Sequence, residues 1–132
     1  MVSFLNPSNV HAPVGNYTHT AVVPQGTELI FVSGQVGICP DGSTPATFPE
    51  QAEVVFQNLR ACLAAHGLGM NKVVKLNTYL VVGQDVKAMR EIRQRHFGEH
   101  RPTPTAVFVP ALVSPALLLE IEAVAAKQSV QA

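Results

Sequence analysis

Tryptophan is absent from this chain, aromatic residues make up only 6% of it, and charged residues only 14%. Formal net charge is zero. With no long basic run either, the electrostatic footprint of a nucleic-acid binder is missing. Cysteine is scarce: Cys39 and Cys62 show no CxxC spacing. No secretory leader is legible at the N-terminus, so both read as free thiols of a reducing compartment, and a cytoplasmic location is expected. No Gly-rich phosphate loop, nucleophile elbow or dinucleotide fingerprint occurs. No cofactor or metal is therefore expected.

What the chain does have is apolar: 47% of its 132 residues. That length makes one domain, residues 1–132, able to bury a core without disulfides or a structural metal. So little charge leaves apolar surface that a monomer struggles to cover, which points to contacts between subunits. The densest apolar stretch is LLLEIEAVA at 117–125. It is too short to span a membrane, so no membrane partner is expected, and it reads as a strand. Alternation puts Leu117, Leu119, Ile121 and Ala123 on one face and Leu118, Glu120, Glu122 and Val124 on the other. Two carboxylates on one face of such a strand mark either a solvated edge or the wall of a polar pocket.

Earlier, residues 1–13 read as an irregular lead-in. Weak alternation over 17–23, a turn at Pro24-Gln25-Gly26 and the apolar run Leu29-Ile30-Phe31-Val32 predict a hairpin. Gly34, just past that run, suggests close approach by a ligand or another element. Cys39-Pro40-Asp41-Gly42 is a second turn. Thr47 and Glu50 have capping-box spacing and open a helix whose apolar stripe runs Ala52, Val55, Phe56, Leu59, Cys62, Leu63, ended by Gly67. A buried strand follows at 73–82. Asp85 caps a second helix to Phe97, closed by Gly98, with Lys87–Glu91 as a supporting pair. Its neighbours His96 and His100 straddle Gly98, which argues against a metal pair. Strands at 105–109 and 117–125 complete the order β-β-α-β-α-β-β. That order predicts an α+β two-layer domain, one mixed sheet with both helices on one face.

Several segments together resemble the YjgF/RidA family, also called endoribonuclease L-PSP-like proteins. They are Gly15-Asn16-Tyr17, Phe31-Val32-Ser33-Gly34-Gln35-Val36-Gly37, Asn58-Leu59, Val73-Val74-Lys75, Phe97-Gly98-Glu99-His100-Arg101-Pro102 and Glu120-Ile121-Glu122-Ala123-Val124-Ala125. The resemblance implies a chorismate-mutase-like fold and a homotrimer whose sheets form a central barrel. Small-molecule clefts would lie between neighbouring subunits. The implied activity is hydrolysis of enamines and imines such as 2-aminoacrylate to 2-keto acids and ammonia. Some members are reported to cleave RNA, but this neutral chain offers no surface for it.

One departure stands out. Family deaminases carry a P-x-R-[ST] pattern at the opening of the fifth strand, and this chain reads Pro102-Thr103-Pro104-Thr105. Pro104 thus replaces the arginine that clamps the substrate carboxylate. The usual following cysteine is Ala106, and the usual asparagine of the second helix is Arg90. The resemblance assigns Glu120 the catalytic role of holding or activating water, and Tyr17, Ser33, Gly34, Arg90, Pro104 and Thr105 a place along the substrate cleft. Ser33 and Gly34 would act through their backbone. The plainer readings are a tethered core tyrosine, a solvated Arg90, and Glu120 paired with Arg90 across the interface. Arg101 is the other arginine that could stand in for the missing one. Beside the enzyme stands a second reading, a non-catalytic metabolite binder or pathway partner with the same clefts.

Overall fold

The computed structural model describes residues 1–128. Its core is a four-stranded mixed sheet in the order β3-β6-β4-β5, formed by Thr27–Val36, Leu119–Gln128, Val73–Val81 and Thr103–Val109. A separate two-stranded sheet pairs β1, Ser3–Leu5, with β2, Thr20–Val22. Strand β6 is the spine of the larger sheet, antiparallel to β3 on one side and to β4 on the other. Strands β3 and β4 therefore run parallel, and helix α1, Phe48–Ala64, crosses over the slot that β6 fills. Helix α2, Val86–Phe97, makes the second crossover, from β4 to the parallel edge strand β5.

Local chemistry sets the helix ends. Thr47 Oγ1 accepts from Glu50 N at 3.4 Å, capping the helix, and donates to Glu50 Oε1 at 2.6 Å. Gly67, at φ +74°, takes the left-handed turn that lets Leu68 N reach back to Leu63 O. Asp85 Oδ1 accepts from Lys87 N and Ala88 N and opens α2. The expected Lys87–Glu91 pair does not form. The basic end of α2 pairs instead across to α1, where Arg95 and His96 both meet Glu53.

Both helices cover one face of the sheet. Ala52, Val55, Phe56, Leu59 and Leu63 of α1 are fully buried against Leu119, Ile121 and Ala125 of β6 and Val73 and Leu76 of β4. Met89, Ile92 and Phe97 bring α2 onto the same core. Each of the larger side chains among them stabilises the fold by about 2 kcal/mol. Cys62 packs against this cluster as a small apolar residue. Gln51 is the most deeply buried of the few polar residues inside, 1% exposed. Its Nε2 donates to Pro45 O and Ala116 O, and its Oε1 accepts from Leu118 N, each at 2.9 Å. One side chain thus fastens α1 to the chain entering β6.

Among the described residues no helix packs on the opposite face of the sheet. Along β6 it presents Glu120, Glu122 and Val124, each half-buried. Leu29 and Phe31 of β3 are 46% and 75% exposed, and Val107 of β5 is 45% exposed. Among the described residues no helix is long and apolar enough to cross a membrane.

Two expectations at the N-terminus need correction. The lead-in is not wholly irregular, since it holds β1. The turn at Gly26 exists, with φ +85°, but the strands flanking it do not pair with each other. Strand β2 pairs with β1, whereas β3 pairs with β6 from Thr27↔Gln128 to Val36↔Glu120. A ten-residue strand makes a far longer ladder with an equally long partner than with the three residues of β2. The order is thus β-β-β-α-β-α-β-β, one strand more than expected.

Candidate functional site

A cleft of about 450 Å³ lies between edge strand β5, helix α2 and the loop 11–19. Tyr17, Arg90, Pro104 and Thr105 all line it, so three segments distant in sequence converge. Its floor is apolar, formed by Leu80, Val86, Met89 and Ala106. An edge position explains how proline enters a strand here, because position 104 needs no outward donor. The loop wall is tied down at both ends. His19 N donates to Asn6 Oδ1 at 2.7 Å, and Asn16 Nδ2 donates to Gln94 Oε1 of α2 at 2.6 Å. Rings of His11, His19 and Tyr17 stack edge to face in a row, 4.9 and 5.5 Å apart. The Tyr17 hydroxyl accepts only a 3.3 Å bond from Val14 N. Tyr17 is therefore both tethered and cleft-lining.

Arg90 is exposed and its guanidinium makes no hydrogen bond among the described residues. Arg93, one turn further along α2, is half-buried, lines the same cleft and donates to Asn16 O at 3.3 Å. Burial first, then the like charges of Arg90 and Arg101, pull its proton affinity below the usual guanidinium range. It stays a cation all the same. Arg101 donates to Gly98 O at 3.2 Å and does not line the cleft.

Glu120, Ser33 and Gly34 lie elsewhere. Ser33 and Gly34 occupy a break in the β3–β6 register between Val32 and Gln35, a bulge. Glu120 lies across it: a Cβ built on Gly34 would stand 2.7 Å from Glu120 Cδ and closer still to Oε2. The expected close approach at Gly34 is thus made by the Glu120 carboxylate. Glu120 shares a shallow groove with Tyr79, Glu122 and the loop 111–113 on the uncovered face. Its neighbour Glu122 is held through one oxygen, Oε1 accepting from Asn77 at 2.9 Å and from Tyr79 at 2.8 Å. Those two bonds hold the Glu122 carboxyl below its ordinary value, and the bond to Glu122 raises the Tyr79 hydroxyl above its own. Within one chain Glu120 and Arg90 do not pair.

Gly34→Ala is expected to swing Glu120 off the bulge at a cost of about 1 kcal/mol of stability. Any turnover that uses this carboxylate should fall at least tenfold while the melting temperature drops only a few degrees. Wild-type turnover in Gly34→Ala would sever Glu120 from the chemistry.

Sequence reasoning missed Arg93, His11 and His19. Arg93 was legible in principle, since it stands at i+3 from Arg90 on one helix face. The histidines carried no signal, because their placement depends on how the loop folds back. Elsewhere His96 lies parallel to Phe56 at 5.0 Å, and His100 Nε2 donates to Val73 O at 2.7 Å, so both are structural. No cluster able to hold a metal occurs among the described residues.

Fold and cleft together define a class: a two-layer α+β domain with a small-molecule-sized pocket at the edge of its mixed sheet. The chain belongs to the YjgF/RidA family, and residues 8–127 match the family model described as Endoribonuclease L-PSP. A RutC family protein of Pyrococcus abyssi is 35% identical over 118 residues, spanning 88% of this chain and 90% of its own. The Rid family protein YyfB of Yersinia pestis has the same fold, with a TM-score of 0.83 at 26% identity over 94% of this chain and 97% of that one. Escherichia coli TdcF, solved with bound serine, gives a TM-score of 0.72 at 28% identity, over 96% and 99%.

Proposed function

We propose that this protein is a cytoplasmic homotrimer that hydrolyses an imine or enamine of a small carboxylated metabolite in clefts shared between subunits. The observation that carries the reading is the split of the candidate residues. Arg90, Tyr17, Pro104 and Thr105 line the edge cleft, while Glu120, Ser33 and Gly34 sit on the uncovered face of the sheet. An anion-holding half and a water-activating half on different surfaces of one chain meet when a neighbour supplies the second. The exposed Leu29, Phe31 and Val107 on the uncovered face supply apolar area for that contact. TdcF with serine bound shows that a relative of this fold takes a small amino acid.

In this reading Arg90 holds the substrate carboxylate and Glu120 orients a water. The Glu120 carboxylate takes one proton from the water as its oxygen bonds to the imine carbon and passes it to the nitrogen, then relays the carbinolamine hydroxyl's proton to that nitrogen as C=O forms and the C–N bond breaks, giving a 2-keto acid and ammonia. Pro104 sets the natural substrate apart from 2-iminopropanoate, because no guanidinium extends from β5.

A panel of 2-imino acids generated in place by an amino-acid oxidase tests this. The full chain is expected to speed keto-acid release from at least one of them, and Glu120→Ala to lower that rate at least a hundredfold. Unchanged rates in Glu120→Ala would remove the carboxylate from the mechanism. The same Pro104 favours a second reading, a non-catalytic metabolite binder. Saturable binding of 2-keto acids with no turnover of any imine would establish it instead.

A further inference from the structure

Within one chain, two guanidinium groups line the edge cleft and a third lies just outside it, none of them paired with an acid. Arg90 and Arg93 line it, and the charge of Arg101 reaches Arg93. Among the described residues the only ion pairs are those of Glu53 with Arg95 and His96, on the far side of α2. Arg93 and Arg101 reach backbone carbonyls of Asn16 and Gly98, which are dipoles and not counter-charges. Half-burying a guanidinium beside like charges is unfavourable unless an anion completes the site. One carboxylate satisfies one guanidinium fork in bidentate fashion, and the remaining positive charge calls for a second anionic group. Between the arginines and the histidine row the floor is apolar, suited to a short carbon chain.

We infer that the cleft takes a small molecule bearing two anionic groups, a dicarboxylic or phosphorylated acid. Arg93 grips one group at the inner end and Arg90 the other at the mouth. The inference rests on the reading of this cleft as the ligand site. It moves the anion clamp from β5, where Pro104 stands, to the helix opposite, and it narrows the ligand to dianions.

Calorimetric titration of the full chain at low salt with succinate, butyrate and inorganic phosphate tests it. Succinate and butyrate share a four-carbon chain and differ in charge. Succinate is expected to bind at least tenfold more tightly, with Arg93→Gln abolishing the preference and Arg93→Lys keeping most of it. Phosphate that outbinds succinate with the same dependence on Arg93 also supports the inference and assigns the phosphorylated class. Equal binding of succinate and butyrate overturns it. So does equal weakening of both ligands by Arg93→Gln and Arg93→Lys, which makes Arg93 a prop for the Asn16 loop. Imine turnover that needs Glu120, without any preference for succinate, retires the dianion and leaves the hydrolase standing. A succinate preference without turnover retires the hydrolase alone.

Discussion

With arginine in place of Pro104, the protein is expected to release pyruvate from freshly generated 2-aminoacrylate at least a hundredfold faster than the natural chain. Position 104 lies in register with Leu76 on edge strand β5 and lines the cleft, so a long side chain there enters it. Proline offers no donor, whereas arginine offers a planar fork matched to a carboxylate. A hundredfold is ~2.7 kcal/mol of transition-state stabilisation, within reach of one well-placed clamp that fixes the reacting carbon against its water. The substitution also leaves the core intact, because Pro104 is only half-buried. The readout is kcat/KM, with a melting curve to show that the variant folds. A folded Pro104→Arg with no gain would mean that the rest of the cleft is not built for this imine. A natural chain that already matches the variant, and loses its rate in Arg90→Ala, would show that α2 has taken over the clamp.

Gln51→Leu is expected to cost about 3 kcal/mol of stability, although leucine is apolar and of similar volume. The glutamine is buried at 1% exposure and makes three bonds of 2.9 Å to Pro45 O, Ala116 O and Leu118 N. Leucine leaves one donor and two acceptors facing an apolar side chain, and each orphaned buried group costs 1 kcal/mol or more. Nearby space is tight as well: a Cβ on Gly37 would lie 2.7 Å from Gln51 Cβ. The helix therefore has no room to shift toward water and recover the bonds. Urea unfolding at fixed protein concentration should show the loss as a lower midpoint with an unchanged slope. A loss under 1 kcal/mol would mean that water replaces the side chain at these three groups.

Periodicity made the two helices, their caps and β6 legible. Apolar spacing, the Thr47–Glu50 cap and the glycines at 67 and 98 are local signals, and local signals set helix ends. The strand pairing of the N-terminal third was not legible. Proximity in sequence favoured a hairpin around Gly26, yet the partner of β3 is 84 residues or more away, in β6. For the site, the alternation over 119–124 placed Glu120 and Glu122 on the face away from the helices. It could not reveal that Gly34 opens a bulge beneath one carboxylate, or that Tyr79 and Asn77 occupy the other. The convergence of Tyr17, Arg90, Pro104 and Thr105 followed from the family resemblance, since no spacing in the chain relates them. Arg93 and Gln51 escaped because a charged helix residue and a helical glutamine look solvated until their neighbours are known.

Pro104 has a consequence beyond the cleft. Strand β5 is the last strand of the sheet on its side, and an outermost strand is normally a template on which another chain can add a strand. Within sheets, proline is confined to positions whose missing N–H would point outward. The outer row of β5 therefore lacks a donor near its start, and an incoming strand would leave a carbonyl unmet there. The sheet stops at β5. One of the sheet's two edges is thereby a poor template for strand addition by another chain, and an array that grows by joining sheet edge to sheet edge would have to use it.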